Sequence, residues 1–93
     1  MSLTVFLSGH LKSFSNGELQ VPLNGDFVDV AGALDSLWKI HPALRDRVLN
    51  EQGEIRQHVN IFVGSDDVKH LKGLRTCIDA GSELHIFNAV SGG

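Results

Sequence analysis

The chain has 93 residues, 42% hydrophobic and 20% charged, with a formal net charge of −3 and one cysteine. This balance fits one small globular domain with a modest core, a binding or carrier module more than a self-contained enzyme. It gives no electrostatic case for nucleic acid or a membrane surface, no internal disulfide and no apolar run near the ~20 residues of a membrane span.

The N-terminal stretch, Met1 to Val5, lacks the basic start and long apolar core of a signal peptide, so a cytoplasmic protein is expected. Leu3 to Ser8 is rich in β-branched and apolar residues and reads as a strand. Ser15-Asn16-Gly17 is a turn signal, after which Glu18 to Leu23 alternates polar and apolar residues as a half-buried strand does. Pro22 puts that strand at a sheet edge or a strand end. Asn24-Gly25-Asp26 makes the next turn, and the two strands form an antiparallel hairpin with a long connection.

A helix follows, with Asp29 as N-cap and Val30, Ala33, Leu34, Leu37 and Trp38 on one face. His41-Pro42 ends it, because a residue before proline is pushed out of the α region. Pro42 then suits the first turn of a short second helix over Ala43 to Leu49. Val59 to Val63 is the strongest strand signal, with apolar residues on both faces, and predicts a central strand. Gly64 to Asp67 reads as a turn, and Val68 to Leu74 fits a short strand or irregular chain. Asp79-Ala80-Gly81-Ser82 is a polar turn before a last strand, Leu84 to Phe87.

A helix between an early hairpin and later strands can pack across one face of a mixed sheet. It also supplies the long crossover that lets the first and last strands pair in parallel at the centre. That is an α+β arrangement of the β-grasp, ubiquitin-like kind, although periodicity alone leaves other small α+β folds open. The expected organisation is one β-grasp domain over residues 1–88 and a flexible tail over 89–93, ending Ser91-Gly92-Gly93. Two glycines carry no Cβ, so such a tail can thread an active site too narrow for other residues.

Several motifs now fall in order: His41-Pro42-Ala43-Leu44-Arg45, Val59-Asn60-Ile61-Phe62-Val63, Asp67-Val68, Gly73-Leu74, Asp79-Ala80-Gly81 and Ala89-Val90-Ser91-Gly92-Gly93. Together they resemble the MoaD/ThiS sulfur-carrier family. The resemblance is strongest to its longer members, such as the carrier of carrier-dependent cysteine biosynthesis, and covers residues 27–93 well and the first hairpin loosely. The chain departs from the family pattern at Gly64-Ser65 and at His85 and Asn88.

The resemblance implies a protein cosubstrate rather than an enzyme. A ubiquitin-activating-type enzyme would use ATP to adenylate Gly93, and a sulfur donor would displace AMP to leave a thiocarboxylate. A downstream sulfur-acceptor enzyme would then build cysteine, another sulfur-containing metabolite, thiamin or molybdopterin. Gly93 would carry the reacting group, Gly92 would give clearance, and Ser91, Val90 and Ala89 would form the stem that a partner reads. Two alternatives share the tail: a modifier joined to lysines through Gly93, and the small subunit of a molybdopterin-synthase-type complex.

A tail inserted into a partner needs a docking patch nearby. Phe62, Phe87 and Val90 are the candidates, against a plain role in completing the core. Arg45, Arg47, Arg56, Lys69, Lys72 and Arg75 are the cations that an acidic partner patch could meet, though each taken singly reads as solvated surface. Cys77 has no neighbouring signal of an activated thiolate. His10, His41, His58, His70 and His85 lack metal-ligand spacing, so neither a metal nor a bound cofactor is expected.

Overall fold

The computed structural model describes residues 2–79 and 81–88. Strand β1 (Ser2–Leu7) alternates as its sequence does: Leu3, Val5 and Leu7 are buried, while Thr4 and Phe6 face the other way. It pairs antiparallel with β2 (Gln20–Asn24), placing Val5 opposite Val21 and Leu3 opposite Leu23. Pro22 sits on the outermost strand of the sheet, where its missing N–H breaks no central ladder. The long connection between them is more than a loop. Gly9–Phe14 winds into a 3₁₀ helix that drives Leu11 into the core. The Ser15 hydroxyl then donates to the Glu18 carbonyl at 2.6 Å, and Asn16 and Gly17 make the turn with φ of 53° and 84°.

Helix α1 (Val30–Ile40) starts where Asp29 predicts. The Asp29 carboxylate accepts from the Gly32 N–H at 2.9 Å, satisfying one of the first-turn donors that the helix cannot pair itself. Val30, Ala33, Leu34 and Leu37 are buried against the sheet and Trp38 packs on the rim of the core. His41 closes the helix through its N–H to the Leu37 carbonyl at 2.9 Å. The expected second helix divides into a 3₁₀ turn, Pro42–Leu44, and one α turn, α2 (Arg45–Val48), which bury Leu44 and Val48.

Strand β3 (Val59–Val63) pairs antiparallel with β5 (Leu84–Asn88), and β5 pairs in parallel with β1. The order is β2-β1-β5-β3-β4, so the last strand is the middle one. One sequence expectation needs correction, and one left open is settled. Gly64 to Asp67 is not all turn: Gly64, at φ 62°, turns the chain so that β4 (Asp66–Asp67) pairs back onto Val63 and Phe62. Val68 to Leu74 holds no strand. The Asp67 carboxylate accepts from the Lys69 N–H at 2.9 Å and caps a 3₁₀ turn over Val68–His70, with a second over Gly73–Arg75. Residues 76–78 then lie along 28–30, with Val30 N–H to Thr76 O and Ile78 N–H to Val28 O both at 3.0 Å.

One core results. Leu11, Leu44, Val48, Val68 and the inner face of α1 pack against the inner residues of β1, β2, β3 and β5. β3 is interior as expected, yet its two faces are not equally buried: Val59 and Ile61 are enclosed, while Phe62 is half-buried on the opposite face. The helices cover one face of the sheet and leave the other open.

Candidate functional site

Strand β5 leads straight toward the predicted tail. Its final residue, Asn88, pairs with Val59 on one side, and its N–H donates to the Ser8 hydroxyl at 3.2 Å on the other. The Ser8 N–H in turn donates to the Ile86 carbonyl at 3.0 Å. Ala89, Val90, Ser91, Gly92 and Gly93, named above as stem and reacting group, lie outside the described residues.

Inward side chains of β5 are Leu84 and Ile86; outward are His85 and Phe87. Register puts His85 beside Phe6 of β1 and Phe62 of β3, and Phe87 beside Asn60. The Phe6 and His85 rings stack, with centroids 4.7 Å apart and planes 10° apart. His85 meets Phe87 at 5.8 Å, and Phe62 meets Phe87 at 6.1 Å with planes 57° apart. Such offset and tilted geometries are the favourable ones for ring quadrupoles. The structure thus brings Phe62 and Phe87 together on the open face, Phe87 being 38% exposed. It adds Phe6 and His85, which sequence reading left out of the patch. Alternation in β1 carried the signal for Phe6: once Leu3, Val5 and Leu7 point inward, Phe6 points outward.

A second feature lies at the foot of the tail. A cavity of about 420 Å³ is bounded by Arg47, Arg56, His10, His58, Phe14, Asp46 and Asn88. The Arg47 guanidinium lies 4.5 Å above the centre of the Phe14 ring, a cation–π contact. The Arg56 Nε donates to the Asp46 carbonyl at 2.8 Å. The Asp46 carboxylate faces Arg45 at 3.3 Å. The remaining cations are dispersed: Lys69 donates to the Gln57 carbonyl, and Lys72 lines a separate cavity with Cys77. Cys77 is exposed and pairs through its backbone with Asp29. Among the described residues no three His, Cys, Asp or Glu side chains cluster as a metal site would need, and no helix is long and apolar enough to cross a membrane.

The arrangement offers an aromatic face and a polar, cation-lined cavity flanking the strand that ends at the tail. A model of the ThiS family matches residues 5–93. Small archaeal modifier protein 1 of Haloferax volcanii is 37% identical over 75 residues, spanning 81% of this chain and 80% of that protein. Sulfur carrier protein CysO of Mycobacterium tuberculosis is 28% identical over 95 residues, spanning 100% of both. The crystal structure of the Amycolatopsis orientalis BexX/CysO complex contains a chain alike at TM-score 0.87 and 27% identity, over 98% of this chain and 99% of that one. With these likenesses the sheet packed on α1 is the β-grasp, ubiquitin-like fold.

Proposed function

The chain belongs to the ThiS family of β-grasp sulfur carriers and ubiquitin-like modifiers, and from that premise we propose that it carries sulfur as a thiocarboxylate on Gly93. A carboxylate resists nucleophiles, because its charge repels them and oxide is a poor leaving group. An adenylating enzyme removes both obstacles by joining the Gly93 carboxylate to the α-phosphate of ATP, with release of pyrophosphate. Sulfide attacks the acyl-adenylate carbon, the new C–S bond forms, and AMP leaves with the electrons of the broken C–O bond. If the donor is a persulfide, an acyl disulfide forms first and a thiol must reduce it. The thiocarboxylate then passes its sulfur to an acceptor enzyme. The hard chemistry belongs to the partners, as it does for other group carriers.

The observation that supports this reading most directly is that the family match runs through Gly93 and so includes the diglycine. The described geometry agrees with it. β5 is held on both sides up to Asn88, so the stem starts from a rigid point, and the aromatic face of Phe6, Phe62, His85 and Phe87 lies beside it for a partner to grip. Docking to a partner protein is also consistent with the BexX/CysO complex in which a structural relative is found.

The likeness to small archaeal modifier protein 1 favours a second reading, in which the activated Gly93 is attacked by a lysine amine to give an isopeptide bond. Intact-protein mass spectrometry separates the two. The chain, ending at Gly93, is incubated with ATP, the adenylating enzyme of its host and sulfide. Exchange of one oxygen for sulfur at Gly93, lost when Gly92 and Gly93 are deleted, is the expected result. Lysine-linked conjugates of higher mass, with no sulfur exchange, would move the assignment to the modifier.

A further inference from the structure

We propose that the cavity at the foot of the tail is a docking socket for an acidic side chain of the partner enzyme that adenylates Gly93. This rests on the carrier reading above. Five residues separate Asn88 from the reacting carboxyl group, and even fully extended they span only about 17 Å. A partner whose active site reaches Gly93 must therefore bring its own surface close around the end of β5. The cavity bounded by Arg47, Arg56, His10 and His58 lies at that end, with Asn88 in its wall.

Its electrostatics specify what the partner must present. The chain as a whole carries −3, but this cavity gathers two guanidinium groups against one carboxylate, Asp46, which already faces Arg45. Neither Arg47 nor Arg56 forms an ion pair with a carboxylate among the described residues; one is stacked on Phe14 and the other braced by a carbonyl. Both heads are thus oriented by neutral contacts that leave their charge uncompensated. Asn88 in the same wall has a buried Oδ1 with no hydrogen-bond partner among the described residues; as an acceptor it calls for an N–H or O–H of the partner beside the acidic group, not for the acidic group itself. Covering such a cavity with a neutral or basic surface would strip water from two cations and give nothing back, which is costly. An aspartate or glutamate from the partner compensates them, and the planar guanidinium fork suits a carboxylate. Complementary charge of this kind also speeds encounter and fixes register.

The test is binding of the full chain to its host's adenylating enzyme by calorimetry, at low and at high salt. Arg47→Glu, alone and with Arg56→Glu, should weaken binding by roughly tenfold or more at low ionic strength, with the gap shrinking as salt screens the charges. Arg47→Lys keeps the charge but loses the planar fork and the stack on Phe14, so its affinity should fall between those of wild type and Arg47→Glu. Arg75→Glu, which reverses a charge on a segment that does not line the cavity, should change it less than twofold. Thermal melting checks that each variant folds. Because Arg56 also braces Asp46, Arg47→Glu alone decides between the outcomes if the double variant does not fold. Wild-type affinity in Arg47→Glu, an equal loss in Arg75→Glu, or no binding by the unmodified chain each overturns the socket. If wild type binds and the cavity variants weaken it, yet no thiocarboxylate forms with ATP and sulfide, the socket stands and the carrier reading falls.

Discussion

Ile86 and Phe87 are neighbours on the middle strand, yet the structure assigns them opposite jobs, and truncating each to alanine separates those jobs. Ile86 is 0% exposed, packed between the sheet and α1. Its truncation removes buried methyl and methylene groups and leaves a space that the β5 backbone, paired on both sides, cannot collapse to fill. The cost should be ~3 kcal/mol, mid-range for an aliphatic-to-alanine change in a core. A domain of this size has roughly 5–14 kcal/mol of total stability, and each kcal/mol moves Tm by about 4–8 °C. Ile86→Ala should therefore melt about 12–24 °C below wild type. Phe87 is already 38% exposed, and among the described residues its ring contacts are with His85 and Phe62 on the open face. Phe87→Ala should cost about 1 kcal/mol, the value of an aromatic pair with modest burial. Its effect belongs in binding: as an aromatic anchor it should cost ~2 kcal/mol of affinity for the adenylating enzyme, close to thirtyfold in Kd. Differential scanning fluorimetry and calorimetry on the same two proteins read both quantities. If Phe87→Ala melts as low as Ile86→Ala and binds as wild type does, the open face is structural and no partner docks on it.

The N-cap offers a cleaner stability test. Asp29→Ala removes the bond to Gly32 N–H and should lower stability by ~1 kcal/mol, with Asp29→Asn retaining most of it; equal melting of the alanine variant and wild type would show the cap to be idle. His41 goes the other way. It is 5% exposed, its Nε2 has no hydrogen-bond partner among the described residues, and the nearest Glu18 carboxylate oxygen stands 3.7 Å off, beyond hydrogen-bonding range. His41→Leu removes a buried polar atom that no described residue satisfies, so it should be neutral or stabilising by up to ~1 kcal/mol in chemical denaturation; a loss of several kcal/mol would reveal a bond outside the described geometry. Cys77→Ser should leave sulfur loading of Gly93 unchanged in intact-mass assays, since this thiol sits by Thr76 and Lys72 in a cavity that does not include the end of β5. A loading defect would make the thiol a participant.

Much of this architecture was legible in the residues because each major element carries its own period. Leu3, Val5 and Leu7 alternate; Val30, Ala33, Leu34 and Leu37 recur at helical spacing behind Asp29; both patterns survive in the structure. The 3₁₀ turns and β4 escaped for a common reason. A two-residue strand such as Asp66–Asp67 is too short to show a period, and its pairing depends on the positive φ of Gly64. The open face was half legible. Phe62 and Phe87 stood out as aromatics in strands, but whether they point inward or outward depends on register with β1 and β5, which local pattern does not contain. The cavity at the tail foot was less legible still. Its residues come from the turn after β1, from α2, from the approach to β3 and from the end of β5, so only the folded sheet brings Arg47, Arg56, His10 and His58 together.

The placement of β5 in the middle of the sheet has a mechanical consequence. Tension applied to the chain along β5 through Asn88 acts on a strand held by two ladders at once, parallel with β1 and antiparallel with β3. Hydrogen bonds lying athwart the strand are then loaded in shear and must yield together. Were the tail attached to the edge strand β2, the same tension could peel a single ladder from one end. If the chain works as the carrier proposed above, a partner can thus tug on it beyond Asn88 while the domain behind stays folded.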